Sequence, residues 1–130
     1  MNEPKRIDCD ICVIGSGLAG MAAALFAAAR GLCVTQIGHT GEIIFASGLL
    51  DLLSVHPVVE KRTWNHPWAA IDALVKDKPH HPYARLKKED IKIAFDETLS
   101  FLRETGLNYY RNIDQNTGVL TSMGTVKSTY

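Results

Sequence analysis

Gly15, Gly17 and Gly20 follow the spacing G-x-G-x-x-G within the stretch VIGSGLAGMAAALFAAARG, residues 13–31. Such a turn can cradle the pyrophosphate of a dinucleotide, or it can be no more than a tight connection between a strand and a helix. In the first case each glycine has its own task. Gly15 lets the chain turn sharply after a strand, Gly17 lacks the side chain that would block a phosphate, and Gly20 permits close contact of helix and strand. The backbone from Gly15 through Ser16, Gly17, Leu18, Ala19 and Gly20 would then meet the phosphates with the N–H groups and positive dipole end of a helix.

The other reactive side chains make weaker patterns. Cys9 and Cys12 form a C-x-x-C, but the pair falls in a predicted strand rather than at a helix start, where a dipole would lower a thiol pKa. Their odd spacing puts the two side chains on opposite faces, and with Cys33 they read as plain core cysteines. His56, His66, His80 and His81 sit beside prolines and lack the paired spacing of metal ligands, so no metal site is expected. They read as extended loop residues before proline, with His81 as a weaker candidate for a general base. Lys127 reads either as a phosphate ligand or as a residue on a solvated strand face. Trp64, Trp68, Tyr109 and Tyr110 read as core or interface aromatics.

The elements around the glycines decide between the two readings of the turn. Ile11 to Ile14 is a short apolar run ending at glycine, the mark of a strand buried on both faces. Leu18 to Arg30 is rich in alanine, the best helix former, and Gly31 is placed to stop it. Leu32 to Ile37 forms a second strand. Strand, glycine turn, helix, strand implies a right-handed parallel crossover, and this context favours nucleotide binding over a structural turn.

An expected acid is missing. Dinucleotide folds commonly place Asp or Glu about 20 residues beyond the turn, on the ribose hydroxyls. Gln36, Ile37, Gly38 and His39 stand there instead, with Glu42 nearby, and no Lys or Arg suggests a 2′-phosphate. The phosphate half of a cofactor is therefore better supported than the adenosine half.

Further along, Pro67 to Val75 is a short helix candidate with proline in its first turn, and KDKPHHPYARL is a polar loop. Asp90 to Thr105 is an amphipathic helix with Ile91, Ala94, Phe95, Leu99 and Leu102 on one stripe. The remainder suggests short strands around an Asn116-Thr117-Gly118 turn, and Val126 to Tyr130 reads as a strand that ends without a partner element. A nucleotide-binding sheet of this type usually has more strands, so the chain reads as a fragment: residues 1–130 would be the amino-terminal portion of a Rossmann-like domain, an incomplete α/β fold with a parallel sheet and covering helices, which the resemblance given below implies to be flavin-binding.

Bulk properties set limits. Lys plus Arg equals Asp plus Glu at 14 each, so charge gives no footprint for nucleic acid or an anionic surface. No apolar run approaches the roughly 20 residues of a membrane span, and the leader MNEPKRIDCD lacks a signal-peptide h-region, which suggests a cytoplasmic location.

Three motifs in register, FASGLLDLLS (residues 45–54), HPYARL (81–86) and TSMGTVKSTY (121–130), resemble the family of B subunits of anaerobic glycerol-3-phosphate dehydrogenase. The resemblance covers essentially the whole chain. It implies a flavoprotein, with FMN or FAD as cofactor, in a complex that oxidises sn-glycerol 3-phosphate to dihydroxyacetone phosphate. Electrons would pass toward quinone, with fumarate or nitrate as terminal acceptor. It implies a catalytic A subunit and a membrane-associated iron-sulfur C subunit as partners, and a peripheral position at the inner face of the membrane. Family members are several times longer, and the late glycine-rich flavin segment lies beyond the part covered here. Ser47 and Gly48 become candidates for cofactor contact where the chain passes back over the flavin; alternatively Ser47 is the N-cap of a helix through GLLDLLS. Catalytic residues are not indicated. A function of another class, a non-catalytic NAD(H)-sensing module, would need the ribose acid that is missing.

Overall fold

A computed structural model describes residues 6–39 and 47–130. The chain divides into two compact units, residues 1–48 and 49–130.

In the first unit, β1 (Ile11–Ile14) leads into α1 (Leu18–Ala29), which returns the chain to β2 (Val34–Ile37). The two strands pair in parallel, Ile11 with Val34 through Ile14 with Ile37. Two extra bonds extend the pairing at its start: Asp10 N–H donates to the Cys33 carbonyl at 2.8 Å, and Cys33 N–H donates to the Asp10 carboxylate at 2.8 Å. The helix ends at Arg30, and Gly31 takes a positive φ of 79°, as its position predicts. This is the expected α/β crossover. Burial differs from the expectation: of the four β1 residues only Val13 is half-buried, and Ile14 is 87% exposed. The apolar run correctly marks a strand, but among the described residues neither face is fully covered. Nor are the cysteines core residues. Cys12 and Cys33 are exposed and Cys9 is half-buried just before β1.

The second unit contains α2 (Pro67–Asp77), a 3-10 turn at Pro82–Arg85, α3 (Lys88–Glu104), β3 (Thr117–Leu120) and β4 (Val126–Thr129). Proline occupies the first turn of α2, where its missing N–H costs nothing. The predicted polar loop around HPYARL thus holds a helical turn, capped by the His81 ring, whose Nδ1 accepts from Tyr83 N–H at 3.2 Å. β3 and β4 form an antiparallel hairpin, so the strand at 126–129 does have a partner. Thr117 and Gly118 lie inside β3, and the reversal falls at residues 121–125, where the Thr121 and Thr125 hydroxyls are 2.9 Å apart. Asn116 is not a turn residue. Its side-chain amide donates to the carbonyls of Leu53 and Trp64, at 3.1 and 2.8 Å.

The core of this unit is Trp68, Ile71 and Tyr130, with Leu52, Leu53, Tyr83, Ile91 and Phe95 packed against it. Tyr130 meets both Trp68 and Phe95 edge to face, at 5.6 and 5.2 Å between centroids. The stripe residues of α3 are half-buried, as amphipathicity predicts. Residues 49–54 are not helical. Their backbone is held by other partners: Thr129 Oγ1 donates to the Leu50 carbonyl, Asn116 to that of Leu53, and Trp64 N–H to that of Ser54. The N-cap role for Ser47 therefore falls away. Tyr109 and Tyr110 are exposed, the latter 95%, and are not core residues.

Candidate functional site: the glycine turn

The turn between β1 and α1 is shaped by contacts that its sequence requires. Gly15 has φ +122°, a conformation open to glycine and strained for other residues. Its N–H donates to the Ile37 carbonyl at 2.7 Å, continuing the parallel ladder one step past β1. Gly17 is the N-cap of α1, with φ −74° and ψ 179°, and Met21 N–H donates to its carbonyl at 3.0 Å. Gly20 lies against the Gly15 carbonyl: a Cβ there would overlap the oxygen and come 2.9 Å from the carbon. The task assigned to this glycine, close approach of helix to strand, is thus met in the geometry.

Leu18, Ala19 and Gly20 form the first turn of α1, whose N–H groups have no intrahelical acceptor. No side chain caps them, and no acidic residue lies in this turn. The Ser16 hydroxyl, one residue before the N-cap, donates to the His39 carbonyl. Donors grouped at the positive end of a helix, behind a turn with little side-chain bulk, suit a phosphate. The residues present therefore fit a cofactor bound through its phosphates.

The end of β2, marked in the sequence only by a missing acid, supports the turn from below. Gln36 is half-buried, and its Nε2 donates to the Gly15 carbonyl at 2.9 Å. One of its amide N–H groups is thereby committed to the turn. Gly38, one of the four residues that stand where an acid is usual, packs on Ser16, where a Cβ would come 2.7 Å from the Ser16 nitrogen. The sequence signal for both is the departure from the usual acid, but its meaning depends on a contact across 21 residues. Glu42 lies outside the described residues. Ser47 is exposed, and Gly48 has φ +73°.

The remaining candidates serve the second unit. Lys127 Nζ is 2.6 Å from the Asp51 carboxylate, joining the first and third sequence motifs in an ion pair. The second motif reaches the same core through Tyr83, whose phenol burial pushes its pKa up. His56 is buried, with Nε2 3.5 Å from Asp77, and Trp64 Nε1 donates to its carbonyl at 2.7 Å. Asp114 adopts φ +59° and accepts from Trp68 Nε1 at 2.7 Å, with Lys92 Nζ at 3.0 Å. Hydrogen bonds from Lys92 and then Trp68 hold its carboxyl below the usual range. Among the described residues no group of three or more His, Cys, Asp or Glu is placed to hold a metal ion, and no helix is long and apolar enough to cross a membrane.

Residues 10–130 match the family described as FAD binding domain. Curated relatives carry the name of the B subunit of anaerobic glycerol-3-phosphate dehydrogenase. That of Aliivibrio fischeri (strain MJ11) is 35% identical over 131 residues, spanning 93% of this chain and 27% of the relative. That of Pectobacterium atrosepticum is 30% identical over 116 residues, 88% of this chain and 27% of the relative. That of Yersinia pseudotuberculosis is 31% identical over 123 residues, 93% and 28%. The chain spans about a quarter of the length of these relatives. No solved structure gives a significant match.

Proposed function

The chain belongs to the FAD binding domain family, and from that premise we propose that it is the amino-terminal part of the B subunit of an anaerobic glycerol-3-phosphate dehydrogenase. The protein would work in a complex that oxidises sn-glycerol 3-phosphate to dihydroxyacetone phosphate and delivers the electrons to quinone, with fumarate or nitrate as terminal acceptor. Its partners would be a catalytic A subunit and an iron-sulfur C subunit that holds the assembly at the inner face of the membrane. The observation that supports the cofactor's place most directly is the uncapped first turn of α1 behind Gly15 and Gly17. The flavin supplies the redox chemistry, and the protein binds and orients it.

Within this reading Ser16, Gly17, Leu18, Ala19 and Gly20 present backbone N–H groups to the phosphates, and Gly15 and Gly20 shape the backbone that does so. Ser47 and Gly48 are further candidates for contact with the cofactor, with glycine permitting close backbone approach. The match of residues 10–130 to an FAD binding domain favours the flavin reading over a non-catalytic NAD(H) sensor. The test is to produce the intact protein together with its neighbouring subunits and measure dye reduction driven by sn-glycerol 3-phosphate. Reduction that disappears when this subunit is omitted supports the proposal. A complex equally active without it would refute it.

A further inference from the structure

Four consecutive residues at the end of β2 all engage the Gly15–Ser16 step. Gln36 Nε2 donates to the Gly15 carbonyl at 2.9 Å, and the Ile37 carbonyl accepts from Gly15 N–H at 2.7 Å. Gly38 packs on the Ser16 nitrogen, and the His39 carbonyl accepts from the Ser16 hydroxyl. The peptide joining Gly15 to Ser16 is planar, so its carbonyl and its N–H point in opposite directions. Fixing the carbonyl on Gln36 therefore fixes where the Ser16 N–H aims.

We propose that Gln36 and Gly38 are positioning residues for the phosphate turn: Gln36 anchors the Gly15 carbonyl, and Gly38 lets Ser16 seat against β2. The inference rests on the reading of this turn as the cofactor phosphate site and adds to it. A turn held in its binding geometry beforehand loses less conformational freedom when the phosphate arrives. The ladder bond from Gly15 alone would leave the next peptide free to rotate, and a glycine at φ +122° resists such rotation poorly. The Gln36 side chain restrains the carbonyl end of this peptide, beside the Ser16 hydroxyl bond to the His39 carbonyl. The same contacts explain why no carboxylate stands at residue 38. Any side chain there needs a Cβ where the Ser16 backbone already lies, so the position serves the shape of the turn and not a ribose.

The intact protein, isotope-labelled, stripped of cofactor and titrated with FAD, followed by NMR at the amides of residues 16–20, tests this directly and reads weak binding as well as tight. Gln36→Met keeps the length of the side chain and removes the donor. The expected result is a displaced Gly15 carbonyl carbon resonance and a dissociation constant raised roughly three- to tenfold, the net worth of one hydrogen bond. Amide exchange along the β1–β2 ladder should rise by no more than about fivefold, the share that one lost hydrogen bond accounts for. Gly38→Ala should displace the Ser16 amide resonance and weaken FAD binding as well. Equal affinity in wild type and Gln36→Met, with the Gly15 carbonyl displaced, would overturn the positioning role while leaving the phosphate site intact. Loss of ladder protection together with loss of binding would make Gln36 a structural residue and overturn it too. Intact wild-type protein whose turn amides ignore FAD would overturn the phosphate reading itself.

Discussion

Replacing Gly20 with alanine sets two effects of opposite sign against each other. Gly20 sits in the first turn of α1, and alanine in a helix is favoured over glycine by up to about 1 kcal/mol. Against this, the new methyl would overlap the Gly15 oxygen and stand 2.9 Å from the Gly15 carbon, with Gln36 Nε2 at 3.4 Å. Carbon atoms prefer roughly 3.5–4.0 Å, so the strand end and the helix start must part by more than half an ångström. Neither side yields cheaply. Gly15 is tied to β2 through its N–H at 2.7 Å and its carbonyl at 2.9 Å. Overpacking of this kind costs about 1–3 kcal/mol, and loosening the Gln36 bond adds about 1 kcal/mol. Net of the helix gain, Gly20→Ala should destabilise the first unit by about 1–3 kcal/mol. Hydrogen exchange of the β1 and β2 amides should accelerate by a factor of about 5 to 150 where those amides exchange by opening of the whole unit. A neutral or stabilised variant would show that helix propensity prevails and that Gly20 does not serve close packing.

Gly17→Val should behave differently, because Gly17 has φ −74° and an extended ψ that a β-branched residue adopts without strain. Stability should change by less than about 1 kcal/mol while FAD affinity falls at least tenfold, read as flavin retained per protein against the denaturation midpoint. In the second unit Ile71 is 3% exposed, and Ile71→Ala should cost about 2–5 kcal/mol by denaturant unfolding followed through tryptophan fluorescence. Asp51→Asn, which breaks a half-exposed ion pair with Lys127, should cost no more than about 1 kcal/mol in the same assay. Asp114 has a lowered carboxyl pKa, so its contribution is present above the ordinary value of 3.8 and is lost as pH falls below it through the folded-state pKa. Asp114→Asn should flatten that acid limb of the stability–pH profile, and an unchanged limb would assign it to other carboxylates.

What can be read in the sequence is local. β1, the glycine turn, α1 and β2 follow one another within 27 residues, and each is marked by its own composition: apolar run, glycines, alanines, apolar run. The tasks of Gly15 and Gly20 are legible for the same reason. That of Gln36 is not, because it depends on a bond to a carbonyl 21 residues earlier, created by the parallel register. Residues 49–54 mislead because leucine spacing suits a helix, whereas the carbonyls of Leu50, Leu53 and Ser54 are satisfied by Thr129, Asn116 and Trp64. Asn116 misleads in the same way. Asn-x-Gly is a turn signal, but its amide is occupied in joining two distant carbonyls. The three sequence motifs that suggest a family meet through Leu52, Leu53, Tyr83, Lys127 and Tyr130, in packing and ion pairing. Their common purpose is a core, which spacing along a chain does not reveal.

The central claim is that the Gly15–Gly20 turn holds the phosphates of a flavin dinucleotide. It is tested most directly by purifying the intact protein, releasing its cofactor by denaturation and identifying it, beside the Gly17→Val variant handled in the same way. FAD near one per chain is expected in the wild type, and little or none in a variant that remains folded. Wild-type protein without flavin that also fails to take it up, or a folded variant with full flavin content, would contradict the claim.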